Sequence, residues 1–152
     1  MEDLLNDAEV LYQLLTRLRR VGVGAAPPEL AQLSPPLMLL LEQVTENPGR
    51  SIVDLAQRVG RRAPTVSIEL RHLEEAGLVA RRPHPGDRRA LQVFPTSKGK
   101  NLYQKVQAAR RETFARLLSG LSSEERRTLI ELLQKAVVRF DPGNPPVGEE
   151  KP

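Results

Sequence analysis

Between Ser51 and Thr96 the chain passes from a short helix through a turn into a second helix and then into a basic hairpin, with no spare residues between them. That order leaves room for one small fold, a helix-turn-helix with a wing. The first helix opens at Ser51, with Asp54 three residues later as a capping-box variant. Leu55, Ala56 and Val59 form one apolar stripe, and Gly60 ends the helix. The second helix carries Val66, Leu70 and Leu73 at i, i+4 and i+7, so these three face a core. Gly77 suits the left-handed position after a helix, where Leu78 can pack back beneath it.

The hairpin has its own signal. Leu78 to Arg82 reads as one strand and Ala90 to Phe94 as its partner, with Leu91 and Val93 alternating about Gln92. Pro83, Pro85 and Gly86 force a turn between them. Arg81, Arg82, Arg88 and Arg89 all sit on this hairpin. A solvated loop needs no such density of cations, whereas a phosphate backbone or a narrow minor groove does.

Charge follows the same boundary. Residues 1–49 hold 3 basic and 7 acidic side chains (net −4), residues 50–100 hold 11 and 5 (net +6), and residues 101–152 hold 9 and 7 (net +2), which sums to the overall +4. A charge run alone is usually a solvated face. Coincidence with a helix-turn-helix turns it into a nucleic-acid footprint.

The flanks read as helices. From about residue 3 to 21, Leu4, Ala8, Leu11, Leu15 and Leu18 repeat at a 4-3-4-3 spacing. The stretch Gly22 to Pro28 breaks that helix. Ser34-Pro35 is a good start for the next, which runs to Glu46 through the apolar Leu37 to Leu41 and so expects burial on most faces. Thr96 caps a long helix to about Ser119, and Ser122 with Glu125 forms a capping box for a last one. That last helix carries the stripe Leu129, Leu132, Leu133, Ala136, Val137 and Phe140. The proline-, glycine- and charge-rich residues 141–152 are expected to be disordered. The resulting division is an N-terminal helix and loop (1–32), a winged helix-turn-helix (33–96), C-terminal helices (97–140) and a tail (141–152). The fold class is mainly α with a small β-hairpin wing.

Residues Val66 to Lys100 resemble the multiple antibiotic resistance regulator (MarR) family of winged-helix repressors. The match includes the Asp-x-Arg signature of the wing, here Asp87-Arg88-Arg89, and the approach to the next helix, here Pro95-Thr96-Ser97-Lys98-Gly99. It extends more loosely over roughly residues 5 to 140. The resemblance implies a homodimer joined through both terminal regions. It also implies release from DNA by a small, often anionic aromatic ligand held between the dimerisation and DNA-binding regions. Tyr12, Arg19, Met38 and Tyr103 lie on helices able to line such a site, although a core or surface role is favoured for each. The resemblance gives Asp87 the task of bracing an arginine by a charge-assisted bond; the alternative is a simple turn residue.

A major groove admits one helix, whose N-terminal residues reach base edges. With Val66, Leu70 and Leu73 inward, Pro64, Thr65, Ile68, Arg71 and His72 point outward and Ser67 lies at the margin. Thr65, Ser67 and Arg71 offer hydrogen bonds to bases or phosphates. Ile68 meets a thymine methyl or is an exposed aliphatic. Arg61 and Arg62 stand in the turn, where phosphate is expected, in place of a side-chain cap for the helix that Pro64 opens. With Asp87 as the brace that the resemblance implies, Arg89 is expected toward the minor groove and Arg88 at the backbone.

There is no cysteine, so disulfides and cysteine-based sensing are excluded. His72 and His84 are the two histidines, a poor zinc set, and no metal or other cofactor is expected. No nucleophile elbow, phosphate loop or paired-carboxylate signature points to an enzyme. The acidic start and the lack of a long apolar run predict neither a signal peptide nor a membrane span, and a cytoplasmic setting. The expected function is a homodimeric transcription regulator, a repressor, on a pseudo-palindromic duplex site. The rivals are a non-sensing architectural DNA binder and a winged helix serving protein contact. Dense like charge argues against the last, because interface cores are depleted of it.

Overall fold

The computed structural model describes residues 1–22, 28 and 33–140. The expected chain break at Gly22 to Pro28 and the expected disordered tail from residue 141 lie largely or wholly outside them. In chain order the elements are α1 (Glu2–Arg20), α2 (Pro35–Glu46), β1 (Arg50–Ser51), α3 (Ile52–Val59), α4 (Ala63–Glu75), β2 (Val79–His84), β3 (Asp87–Pro95), α5 (Ser97–Leu118) and α6 (Ser123–Phe140). The chain divides into two units, Met1–Glu112 and Thr113–Pro152.

The core of the first unit is the winged helix. Leu40 and Val44 from α2, Leu55 from α3, Val66, Leu70 and Leu73 from α4, and Val93 from β3 are all fully buried. Each such side chain contributes roughly 1.5–3 kcal/mol on leaving water. The outer side of α2 is less buried than its apolar run suggests, since Leu39 is exposed and Leu37 and Met38 are half-buried.

Both helices of the helix-turn-helix stop by the same device. After α3, Gly60 has φ +65°, its N–H donates to Gln57 O (3.2 Å), and Arg61 N–H donates to Ala56 O (3.0 Å). After α4, Gly77 has φ +72°, its N–H donates to Glu74 O (2.8 Å), and Leu78 N–H donates to Leu73 O (2.9 Å). These are paired Schellman bonds, and the left-handed residue they require is cheap only for glycine. At the other end of α3, the Ser51 hydroxyl accepts the Asp54 N–H (3.1 Å), as its capping pattern anticipates.

The sheet has three strands in the order β1-β3-β2, all antiparallel. The two-residue β1 is an addition to the expected hairpin. Arg50 pairs with Val93 and Ser51 with Gln92. Gln92 Nε2 also donates to Gly49 O (2.9 Å), and Gly49 N–H donates to Val93 O (2.8 Å). The wing strands are longer than expected and close at Pro85-Gly86, leaving Pro83, Arg88 and Arg89 within strands. Pro83 is tolerated because β2 is an edge strand, and the register shifts beside it.

A polar seam joins α5 to α2. Tyr103 Oη donates to Glu46 Oε1 (2.6 Å), Gln107 Nε2 donates to Glu42 Oε1 (3.3 Å), and Arg110 pairs with the same Glu42 oxygen (3.1 Å). Burial, and next the bond to Glu46, push the Tyr103 phenol up to about 12. Met38 and Tyr103 do meet, at a small hollow with Leu41, Glu42, Val106 and Arg110, whereas Tyr12 and Arg19 are exposed on α1.

In the second unit, α6 begins with a reciprocal capping box. Ser122 Oγ accepts the Glu125 N–H (3.2 Å) and Glu125 Oε2 accepts the Ser122 N–H (2.7 Å). Neither α6 nor α1 has a buried residue within the single chain.

Candidate nucleic-acid interface

The outward face of α4 is where its helical period places it. Pro64, Thr65, Ile68, Arg71 and His72 are exposed and Ser67 is half-buried. Pro64 sits in the first turn, and Arg62 occupies the N-cap without a side-chain cap bond. The helix therefore starts with first-turn N–H groups that no side chain caps, a donor set suited to an anion.

The cations divide into two classes that sequence alone did not separate. Arg61 was expected at a phosphate, but its guanidinium pairs with Glu69 and donates to Pro36 O (3.1 Å), joining the turn to α4 and to the start of α2. Arg81 was also expected on DNA. Its Nη2 instead donates to Ser67 O (2.9 Å), and its Nε lies 2.9 Å from Glu74 Oε2, an ion-pair distance without hydrogen-bond alignment. Both guanidiniums are turned inward onto α4. Their side chains are about one-fifth exposed, at 22% and 19%. In contrast, Arg62, Arg71, Arg88 and Arg89 are exposed and make no side-chain bond among the described residues. Arg82 is exposed, and its guanidinium carbon lies 5.1 Å from the Phe94 ring centroid, a cation–π contact that holds the charged head over the wing.

Asp87 does not brace a guanidinium. Its Oδ1 accepts the Arg89 N–H (2.9 Å), and no arginine lies within ion-pair distance of it among the described residues. It is the turn residue of the simpler reading, bonding to backbone two residues on. His84 works from the other strand, its Nδ1 accepting the Gly86 N–H (2.9 Å). Together they fix the wing tip that carries Arg88 and Arg89.

Thr96 caps α5 as its sequence suggests, but its hold on α4, shared with Lys98, has no signal in the sequence. The first turn of α5 grips the end of α4. Thr96 Oγ1 donates to Gly77 O (2.6 Å) and accepts the Gly99 N–H (3.0 Å), Lys98 Nζ donates to Ala76 O (2.8 Å), and Thr96 N–H donates to Leu78 O (3.0 Å). Gly99 packs so closely that a Cβ there would lie 2.0 Å from Leu78 O. Carbonyls left orphaned at the C-terminus of α4 are thereby satisfied, and a cation sits at the negative end of its dipole. The Thr-x-x-Gly spacing was visible in sequence; the need for a missing Cβ was not.

Among the described residues no cluster of three or more His, Asp or Glu side chains could hold a metal, and no helix is long and apolar enough to cross a membrane.

Comparison with known proteins agrees with this geometry. Residues 31–90 match the MarR family model. The chain is 31% identical over 137 residues to the HTH-type transcriptional repressor Rv2887 of Mycobacterium tuberculosis, covering 87% of this chain and 96% of that one, and equally to the repressor Mb2911 of Mycobacterium bovis. Among solved structures, the fold matches YusO of Bacillus subtilis with a TM-score of 0.74 at 22% identity, over 90% of this chain and 96% of that one. It matches FabT of Streptococcus pneumoniae, solved in complex with DNA, with a TM-score of 0.77 at 18% identity, over 92% and 99%. With the helix-turn-helix, the arginine-tipped wing and a repressor relative spanning nearly its whole length, the chain belongs to the MarR family of transcriptional regulators.

Proposed function

We propose that the protein is a homodimeric repressor that reads a pseudo-palindromic duplex site, with α4 in the major groove and the wing along a minor groove. One observation carries this reading: Arg71 on the open face of α4 and Arg88 and Arg89 at the wing tip have no partner among the described residues, while Arg61 and Arg81 hold α4 in place. Thr65, Ser67, Ile68 and Arg71 are assigned to base edges or nearby phosphates. Arg62, Arg82 and Arg88 are assigned to the backbone, and Arg89 to the minor groove. Dimerisation is supported by the bare apolar faces of α1 and α6, with Leu4 68%, Leu15 50%, Leu132 59% and Val137 52% exposed in the single chain. Contiguous apolar faces of this kind mark association sites, and two-fold dimers are the commonest solution.

A ligand-released switch has one supporting feature. Leu33, Ala76, Leu78 and Leu102 with Lys98, Asn101 and Lys105 line a hollow directly at the α4–α5 grip. An anionic aromatic ligand there would meet an apolar floor and compete for the Lys98 ammonium that caps α4. A hundredfold preference for the released form needs only about 2.7 kcal/mol of coupling.

The test is titration of Arg71→Ala and Arg89→Ala against a duplex selected from a random pool and against scrambled DNA. If Arg71 pairs with a guanine, discrimination at one position falls by about 1–3 kcal/mol. If it contacts phosphate, affinity falls nearly equally on both duplexes. Arg89→Ala weakens operator binding with the fold intact. Unchanged operator affinity in both variants overturns the proposal.

A further inference from the structure

The wing carries one cation that is held in place without being neutralised. Arg82 is exposed, and among the described residues its side chain has neither a carboxylate nor a carbonyl partner, unlike Arg61 and Arg81. What holds it is the Phe94 ring, whose centroid lies 5.1 Å from the guanidinium carbon. Register puts the two side chains on one face of the hairpin, since Arg82 pairs with Gln92 and Ala80 with Phe94. The ring in turn is backed by the turn that follows α2. Gly49 has φ +82°, and a Cβ on it would lie 3.3 Å from Phe94 Cε1 and Cζ, so the half-buried ring rests against bare backbone. That backbone is fixed by the two residues before Phe94: Gly49 N–H donates to Val93 O (2.8 Å), and Gln92 Nε2 donates to Gly49 O (2.9 Å).

We propose that Phe94 is a positioning residue for DNA binding: it aims Arg82 at the duplex backbone while leaving the hydrogen-bond donors of that arginine free. The inference rests on the assignment of Arg82 to the backbone in the repressor reading. A carboxylate brace, as on Arg61 and Arg81, neutralises a guanidinium and takes up its N–H groups. A ring face instead attracts the charge through its quadrupole and offers no lone pair to the donors. A loose arginine surrenders its rotamer freedom on meeting a phosphate, whereas one already held over a ring has surrendered part of it beforehand. Phe94 touches no DNA in this account. It acts through Arg82, and Gly49 acts through Phe94 by having no side chain.

The test is a double-mutant cycle on the full chain, read by fluorescence anisotropy with selected operator and scrambled duplex across about 50 to 200 mM salt. Arg82→Gln removes one phosphate contact, so both duplexes should bind about eightfold more weakly at about 0.1 M salt, with the salt slope smaller by nearly one unit. Phe94→Leu keeps an apolar side chain and the charge of Arg82 but removes the ring. It should weaken both duplexes about two- to fivefold in the parent chain, the worth of an exposed cation–π contact, and not at all in the Arg82→Gln chain. Phe94→Met serves the same cycle where the thermal midpoint shows that leucine disturbs the fold. Equal losses from Phe94→Leu in both backgrounds would overturn the proposal, because the ring would then only build the wing. Parent affinity in Phe94→Leu sinks it as well. Parent affinity and slope in Arg82→Gln also defeat it, since there would be no contact to position, and leave the repressor reading to the Arg71 and Arg89 variants. Failure of the parent chain to bind any duplex removes both together.

Discussion

At the scale of single residues, position in the fold decides what a charge or a missing atom does. Arg61, Arg71, Arg81 and Arg89 are chemically identical. Glu69 and Glu74 claim two of them for bracing α4, and the other two stay open to solvent. An Arg→Ala change therefore has two signatures: loss of DNA affinity with stability intact for the open pair, and loss of stability for the bracing pair. Gly99 shows the same dependence for a hydrogen atom. A methyl group in its place would sit 2.0 Å from Leu78 O, so either α5 or the start of β2 must move. Gly99→Ala should lower unfolding stability by about 1–3 kcal/mol or more, as an overpacked contact does. Urea denaturation followed by circular dichroism measures this. An unchanged midpoint would show that the α4–α5 grip is looser than its distances indicate.

At the scale of elements, most ends are set by short-range chemistry. The Schellman bonds at Gly60 and Gly77 and the hydroxyl caps at Ser51, Thr96 and Ser122 were legible because each involves residues three to five apart. The capping box of α6 gives a pH-dependent test. The Ser122 N–H, and then the Ser122 hydroxyl bond, hold the Glu125 carboxyl below its usual value. A lowered carboxylate stabilises fully above the ordinary carboxylate range, and that stabilisation is lost as pH falls through the range towards the lowered value. Helicity of α6 should fray on acidification. Glu125→Gln should remove this element's share of the pH dependence, and Ser122→Ala should cost about 1 kcal/mol at neutral pH. Thermal melts at pH 7 and at acid pH compare the three chains. Parent and Glu125→Gln responding identically to acid would rule out the capping account.

At the scale of the molecule, the winged helix has a buried core of its own, whereas α1 and α6 have none within one chain. The second copy proposed above is what would cover their stripes. Removing residues 121–152 deletes the Leu129 to Phe140 stripe and should give monomer or aggregate, while removing only 142–152 should leave the assembly as it was. Light scattering on the two truncated chains decides: a soluble, intact dimer lacking residues 121–152 would mean that α6 is not needed for association.

Whatever depends on neighbours along the chain could be read from the sequence. The inward set Val66, Leu70 and Leu73 follows from helical period alone, and the family resemblance from a contiguous stretch, Val66 to Lys100. What depends on partners across the chain could not. A two-residue β1 has no pattern of its own and exists because Val93 pairs with Arg50, and Gln92 with Ser51, across more than forty intervening positions in the chain. The wing could not be measured from its prolines, because an edge strand accepts a proline that a central strand would reject. Nor could the free cations be told from the braced ones. Sequence counts charges, but the competition between a carboxylate, a carbonyl and solvent for one guanidinium is settled only when the tertiary structure fixes which of them lies within about 3 Å.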